Sequence, residues 1–477
     1  MSKKFILLAS LVSVVLSASA GEISIEFNGG KPLNKALHSS GWTPRSYNRS
    51  MQTDDDTIKS MNLAYTRTHD WPIVNCGQRM VDYQYIFPLF HLDAKDPKNY
   101  YFKPTDHIMQ LARNIGLKIF YRLGTSIEHT ENVTHFNTVV PEDFDKTAEI
   151  FAATIRHYNK GWADGFNWDI EYWEIWNEPD IGPRMWYLPG PEGLDMAGMR
   201  KKFIKLFVTC LKRLKSEFPE LKIGGPALGT MSIKYLRELL EACKKEGVKP
   251  DFLSWHYYGY NPKEMIATGD KVRKLCNDLG FEGMEFILNE YHYLLSWEGI
   301  HSVNPTPAMV KKAKEGPMSM NGIDSACFYL TALSLFQYSE FEQAYYYGCS
   351  HSGSWGYMDH NKMFNKPYYA AKMFGRICKE YSKVCGVKSE GSCTALALKN
   401  DDGSKASLLV TDYRGNEDVI TVKVSGLDCS KIKRVTARVL DDTRDDYPCQ
   451  VEWYNGELTI VKKDRNSAAF LVTFDFR

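Results

Sequence analysis

A chain of 477 residues with 59 Lys and Arg against 58 Asp and Glu has a formal net charge of +1, which excludes both the basic excess of a nucleic-acid binder and an acidic tail. Balanced charge fits a neutral partner better, and aromatic residues make up 13% of the chain, a supply of flat faces suited to a core or to stacking on sugar rings. Eleven Cys residues form an odd set without zinc-like spacing, which excludes complete pairing within one chain and favours thiols as small core residues.

Lys3 and Lys4 precede the apolar run Phe5 to Leu16, and Ala18-Ser19-Ala20 supplies the small-x-small pattern cut by signal peptidase. Residues 1–20 therefore read as a signal peptide, and the mature chain as a secreted or periplasmic protein. No later stretch reaches the roughly 18 uninterrupted apolar residues of a spanning helix, so no membrane span is expected. Residues 21–34 follow as an N-terminal segment in which Glu22–Phe27 is expected to add a strand to a later β module.

Between residues 35 and 384, short β-rich runs alternate with helical patterns, which predicts a parallel sheet with crossover helices. Strands are expected at Ala36–Ser39, Ala64–Thr68, Leu117–Tyr121, Tyr172–Trp176, Lys222–Gly225, Phe252–His256, Glu285–Leu288 and Gln343–Tyr347. Helices are expected at Asp54–Met61, Thr105–Ile115, Glu142–Asn159, Met196–Phe218, Ile233–Glu246, Pro262–Leu279, Gly322–Tyr338 and Lys366–Tyr381. The acids at Thr53-Asp54-Asp55-Asp56 suit a helix start, and Asn114-Ile115-Gly116 a helix end. Eight strand–helix pairs are the count of a (β/α)8 TIM barrel. From 385 to 477 the pattern changes to short alternating runs: Thr394–Leu398, Ala406–Thr411, Val419–Val424, Arg434–Leu440, Glu457–Val461 and Ala468–Phe474. They predict an all-β sandwich domain, packed directly on the barrel because no low-complexity linker separates the two.

Reacting groups of such barrels stand at the C-terminal ends of strands. Two Glu residues occupy that position, in Tyr172-Trp173-Glu174-Ile175-Trp176-Asn177-Glu178-Pro179 on the fourth strand and Phe286-Ile287-Leu288-Asn289-Glu290-Tyr291 on the seventh. Breaking a glycosidic bond needs two carboxyl groups in different protonation states, and repulsion across a barrel mouth keeps one of them protonated. Asn177 is placed to donate a hydrogen bond to a sugar 2-hydroxyl. No cofactor or metal is implied, since no His-x-x-x-His pair occurs, and His69-Asp70 and Asp359-His360 put neighbours on opposite sides of an extended chain.

Trp176-Asn177-Glu178-Pro179 resembles the acid/base signature of clan A glycoside hydrolases, and within that clan the chain is most similar to family 39, which includes β-xylosidases and α-L-iduronidases. Tyr65-Thr66-Arg67-Thr68-His69-Asp70, Ser254-Trp255-His256-Tyr257-Tyr258 and Lys366-Pro367-Tyr368-Tyr369-Ala370 carry the same resemblance. It implies a retaining hydrolase of plant or host saccharides with Glu178 as acid/base and Glu290 as nucleophile. Asn177 would meet the 2-hydroxyl, Tyr258 would hydrogen-bond the nucleophile, and Arg67, His69 and His256 would line the sugar site. Asn289 departs from the Thr-Glu pair frequent in the family and either contacts substrate or ends the strand. Trp355 is the expected floor of the site, while Trp186 and Trp297 also follow strands. The loop Trp71–Lys103, with Tyr83, Tyr85, Phe87, Phe90, Tyr100 and Tyr101, is either a sugar-stacking wall or a loop packed on itself. Competing readings are an inactive carbohydrate-binding barrel, a metal-dependent hydrolase, and another clan A activity such as an endo-β-glycanase or α-L-arabinofuranosidase. Neither the sugar nor the oligomeric state is legible.

Overall fold

The computed structural model describes residues 20–41, 55–69, 71, 73–75, 78–127, 138–300, 306–349, 355–358, 363–389 and 393–476. Residues 1–19 of the expected leader, Thr53-Asp54, Asp70 and Asp359-His360 lie outside the described residues.

Eight parallel strands close a barrel: Ser39–Gly41, Tyr65–Arg67, Lys118–Leu123, Tyr172–Ile175, Lys222–Leu228, Phe252–Gly259, Glu285–Tyr293 and Phe341–Tyr346, numbered one to eight below. Side chains of a strand alternate between faces, so inward residues recur every second position and stack in layers. Tyr65, Phe120, Tyr172, Phe252, Ile287 and Tyr345 form one apolar layer, with Phe120 5.3 Å from Tyr345 and 5.8 Å from Tyr172 between ring centroids. Two residues further along, the same strands supply Arg67, Arg122, Glu174, Ser254 and Asn289, all buried. The aromatic layer thus plugs the barrel, and a polar layer sits directly above it.

The first strand lies three residues later than expected. Asn34 accepts a hydrogen bond from the Ala36 N–H and caps a short 3-10 turn at Lys35–Leu37, which consumes most of the apolar run read as strand. His38 then points into the surrounding helix layer, its ring between the Met61 carbonyl and the Tyr329 hydroxyl. Strands six and seven run well past their expected ends, to Gly259 and Tyr293. Strand seven carries a bulge at Asn289: Leu288 pairs with Trp255 and Glu290 with His256, leaving Asn289 as the extra residue. A bulge lets two consecutive side chains reach the same face, and both Asn289 and Glu290 bond within the barrel.

The expected helices occur, at Asp55–Ser60, Lys103–Asn114, Phe144–Lys160, Met196–Glu217, Ile233–Lys245, Pro262–Leu279, Ile323–Phe336 and Lys366–Glu380; Tyr83–Ile86 and Pro307–Lys314 are additional. Phe144–Lys160 illustrates their local logic: the Asp143 carboxylate accepts from the Lys146 N–H at the start, and Gly161 ends the helix at φ 70°. Ile323–Phe336 is buried around nearly its whole circumference because it packs between the barrel and the β domain.

In that domain ten strands form one sheet, in the order Asp445–Cys449, Arg434–Leu440, Ala468–Asp475, Lys405–Asp412, Cys393–Lys399, Lys383–Ser389, Ala20–Pro32, Val419–Ser425, Glu457–Val461 and Glu452–Tyr454. The N-terminal strand joins it antiparallel to Lys383–Ser389 and parallel to Val419–Ser425. Trp453 from the last strand lies 4.9 Å from Phe474 of the third, so the sheet folds over itself and closes a sandwich around an apolar core. Of the ten Cys of the described residues eight are buried, as suits small core residues. Among the described residues no helix is long and apolar enough to cross a membrane.

Candidate active site

Strand four delivers Glu178 through a strained corner. Trp176 and Glu178 have φ of 74° and 45°, a left-handed region that non-glycine residues adopt at a cost of about 1–3 kcal/mol and that concentrates at functional sites. Packing holds the corner: the Trp176 ring lies so close to Gly124 that a Cβ there would come within 2.8 Å of it, and the Trp176 indole donates to the Met185 carbonyl. The Glu178 N–H donates to the Ala227 carbonyl at 2.8 Å, tying the corner to strand five.

Arg67 organises the floor. Its guanidinium is fully buried and donates to Glu174 Oε2, Glu290 Oε1 and Asn177 Oδ1, each at 2.7 Å. Burial disfavours its charge, but Glu174 and Glu290 outweigh this and raise its pKa. Glu174 is itself a hub, accepting also from Ser254 Oγ at 2.6 Å and Asn289 Nδ2 at 2.7 Å. Ser254 Oγ in turn accepts from the Ala227 N–H, so one buried carboxylate is linked to the backbone beneath Glu178 and to the cation beside Glu290.

Glu290 accepts a second strong bond, from the Tyr258 hydroxyl at 2.5 Å, and His69 Nε2 lies 3.7 Å from its other oxygen. Burial raises the Glu290 carboxyl above its ordinary range; His256, Arg67 and the Tyr258 hydroxyl oppose the rise, and the charge of Glu178 adds to it. His256 Nδ1 stands between the two carboxylates, 2.8 Å from Glu178 Oε1 and 3.3 Å from Glu290 Oε2. Burial lowers its pKa, which favours a neutral ring. Atoms of Glu178, His256 and Glu290 all lie within 4.8 Å of one another. The trio does not make a cation cage, because Glu290 already accepts from a guanidinium and a phenol and the neighbouring charge is positive.

Above the pair opens a cavity of about 370 Å³. Glu178, Glu290, His69, Tyr258 and Trp355 line it; Arg67, Asn177 and His256 do not, Arg67 and His256 touching the carboxylates from behind and Asn177 bonding to Arg67. Asn177 is fully buried, with Oδ1 held by Arg67 and Nδ2 4.0 Å from Met185 Sδ. Trp355 sits in an aromatic cluster, with centroids 5.5 Å from Tyr258, 5.8 Å from Tyr347 and 6.0 Å from Trp297. Trp186 belongs to the core, its indole donating to the Met199 carbonyl. The aromatic loop packs on itself: Phe87 lies 4.8 Å from Tyr100, Tyr85 5.7 Å from Tyr101, and none of its aromatics lines the cavity. Arg79, Arg184, Thr230 and Tyr347 line the cavity without having been anticipated. Glu174 was also missed, although the two-residue period of strand four, read inward from Tyr172, points to it.

Residues 29–274, more than half of the chain, match the glycosyl hydrolases family 39. A β-xylosidase of Caldicellulosiruptor saccharolyticus is 28% identical over 161 residues, 32% of this chain and 30% of that protein. A β-xylosidase of Geobacillus stearothermophilus is 22% identical over 247 residues, 46% of each. The chain thus spans less than half the length of these curated relatives in the matched regions. A crystal structure of a glucosidase from Croceicoccus marinus shares the fold at a TM-score of 0.73 and 19% identity, over 96% of this chain and 99% of that one. With the strand-four and strand-seven glutamates in place and the family matched over most of the barrel, the chain belongs to glycosyl hydrolase family 39.

Proposed function

We propose that the chain hydrolyses O-glycosidic bonds with retention, in the manner of a β-xylosidase, using Glu290 as nucleophile and Glu178 as acid/base. One observation carries the reading: an oxygen of Glu178 and one of Glu290 lie within 4.8 Å at the cavity floor. Retaining enzymes hold their carboxyl groups about 5–5.5 Å apart, inverting ones about 6.5–9.5 Å to admit a water between them. The close approach favours direct attack.

The surroundings divide the roles. Arg67 and Tyr258 both donate to Glu290, which favours its anion, whereas Glu178 faces the neutral His256 ring. With two donors on Glu290, the double displacement assigns the attacking anion to Glu290 and the transferable proton to Glu178. Glu290 attacks the anomeric carbon as Glu178 gives its proton to the leaving oxygen. Glu178, now a carboxylate, takes a proton from water, whose oxygen attacks the same carbon and expels Glu290. The β-xyloside preference rests on the two curated relatives, both named β-xylosidases. Turnover of a panel of chromogenic xylosides, arabinosides, glucosides, galactosides and uronides, with the product anomer followed by NMR, tests both parts. An inverted product would remove the double displacement, and preference for another sugar would remove the xyloside assignment.

A further inference from the structure

Glu174 carries its charge out of a substrate's reach: it stands four residues before Glu178, is fully buried and does not line the cavity. Alternation along strand four puts Tyr172 in the apolar layer and turns Glu174 into the polar layer above it. A buried carboxylate is costly unless donors surround it, and here three side chains do. Oε2 accepts from Arg67 Nε at 2.7 Å, while Oε1 accepts from Ser254 Oγ at 2.6 Å and Asn289 Nδ2 at 2.7 Å. Each donor leads to a different part of the catalytic pair. Arg67 goes on to Glu290 Oε1 and Asn177 Oδ1. Asn289 is the bulged residue directly before Glu290, so its bond to Glu174 fixes the bulge. Ser254 Oγ accepts from the Ala227 N–H, and the Ala227 carbonyl receives the Glu178 N–H. The guanidinium is also shared, with Nε and Nη2 facing Glu174 and Nη1 facing Glu290. Without the first carboxylate, its whole charge would fall on the second.

We propose that Glu174 is a positioning residue of the catalytic pair: it fixes Arg67 and the Asn289 bulge so that Glu290 points into the cavity, and it shares the guanidinium charge so that Glu290 stays a strong nucleophile. The inference rests on the glycosidase reading above and goes beyond it, since Glu174 meets neither sugar nor leaving group. Glu290 is faced by Arg67 and His69 from the end of strand two, by Glu178 from strand four, and by His256 and Tyr258 from strand six. Arg67 joins that set to Glu174, so the buried carboxylate acts on Glu290 through the cation between them.

The test is the pH profile of kcat/KM on a dinitrophenyl β-xyloside, whose leaving group needs no proton from Glu178 and so reports attack by Glu290. Glu174→Gln keeps the shape and removes the charge. It should lower kcat/KM about 10²-fold, the cost of a reacting group misplaced by roughly 1 Å. Removing a like charge near Glu290 also favours its anion, so the acid limb should move about one pH unit lower. Glu174→Asp keeps the charge but draws it back by one methylene; kcat/KM should fall about tenfold, the worth of one lost hydrogen bond, with the limb in place. A merely structural Glu174 would lower the denaturation midpoint and leave the rate and limb of the folded variants unchanged. That result overturns the role, and so does a limb of Glu174→Gln that stays put or moves to higher pH. Should Glu174→Gln not fold, Glu174→Asp decides: the tenfold loss supports the role and wild-type kcat/KM overturns it. A wild-type chain that turns over no glycoside overturns the glycosidase reading and this role together, whereas wild-type turnover beside an unchanged Glu174→Gln overturns the role alone.

Discussion

The barrel and the β domain bury charge in opposite ways. Under the barrel mouth, Arg67, Glu174, Glu290 and His256 are packed into one connected network with scarcely any exposure. The sandwich encloses an apolar core, and among the described residues the ion pair buried on both sides, Lys462 with Asp412 at 2.6 Å, stands at the end of the strand that leads to Tyr413 and Arg414. Burying an ion pair is at best neutral for stability compared with apolar packing, so a cluster of four ionisable groups is not there to hold the barrel together. The barrel sets its charges where reaction needs them; among the described residues the sandwich pair buried on both sides stands where the domains meet.

The largest effects should come from the two glutamates. Glu290→Ala removes the nucleophile, so formation of a glycosyl-enzyme should collapse for every substrate whatever its leaving group. Glu178→Ala should lower the rate on poor leaving groups by about 10²–10⁴-fold, yet a dinitrophenyl glycoside should still load the enzyme. Added azide, which needs no general base, should then restore turnover as a β-glycosyl azide from a β-glycoside. A leaving-group series with and without azide separates the two variants; equal losses across the series in Glu178→Ala, without azide rescue, would remove it as the acid/base.

A pair of isosteric losses sharpens the comparison between regions. Arg67→Met and Lys462→Met each strip the cation from a buried pair and should each cost about 3–5 kcal/mol of stability, read as a fall in the denaturation midpoint. Only Arg67→Met should also abolish most turnover in the protein that remains folded, because it uncovers Glu290. If Lys462→Met, assayed well below its midpoint, lost kcat to the same degree, the division of labour between the domains would be wrong.

The same contrast explains what was legible beforehand. Sandwich strands with one solvated face alternate, as in Val419–Ser425, and several of their ends were read within a residue. Barrel strands are buried on both faces, so alternation vanishes, and strand seven was cut at Leu288 because Asn289, Glu290 and His292 look like loop. They are in fact buried, paired within the barrel network or against strand six. The catalytic glutamates stood out through their local motif and strand count. Arg79 and Arg184 did not, since each returns to the mouth from a loop whose path is set by tertiary packing alone. Lys383–Ser389, Asp445–Cys449 and Glu452–Tyr454 escaped for a simpler reason: Gly386, Pro448 and their charged neighbours break the apolar run.

The smallest expected effect isolates a single hydrogen bond. Tyr258 donates to Glu290 at 2.5 Å, and that bond favours the carboxylate over the acid. Glu290 attacks only when ionised, so kcat/KM should fall as pH drops below its pKa, which burial has already raised above the ordinary carboxylate range. Tyr258→Phe keeps the ring against Trp297 and Trp355 but removes the donor, so the pKa should rise further and the acid limb of the profile should move to higher pH. At the optimum the loss should stay near tenfold, as Arg67 still holds the other oxygen of Glu290. A purely structural role for Tyr258 would lower the whole profile without moving its limb. An acid limb that stays put, or moves to lower pH, would show that the phenol does not tune the nucleophile.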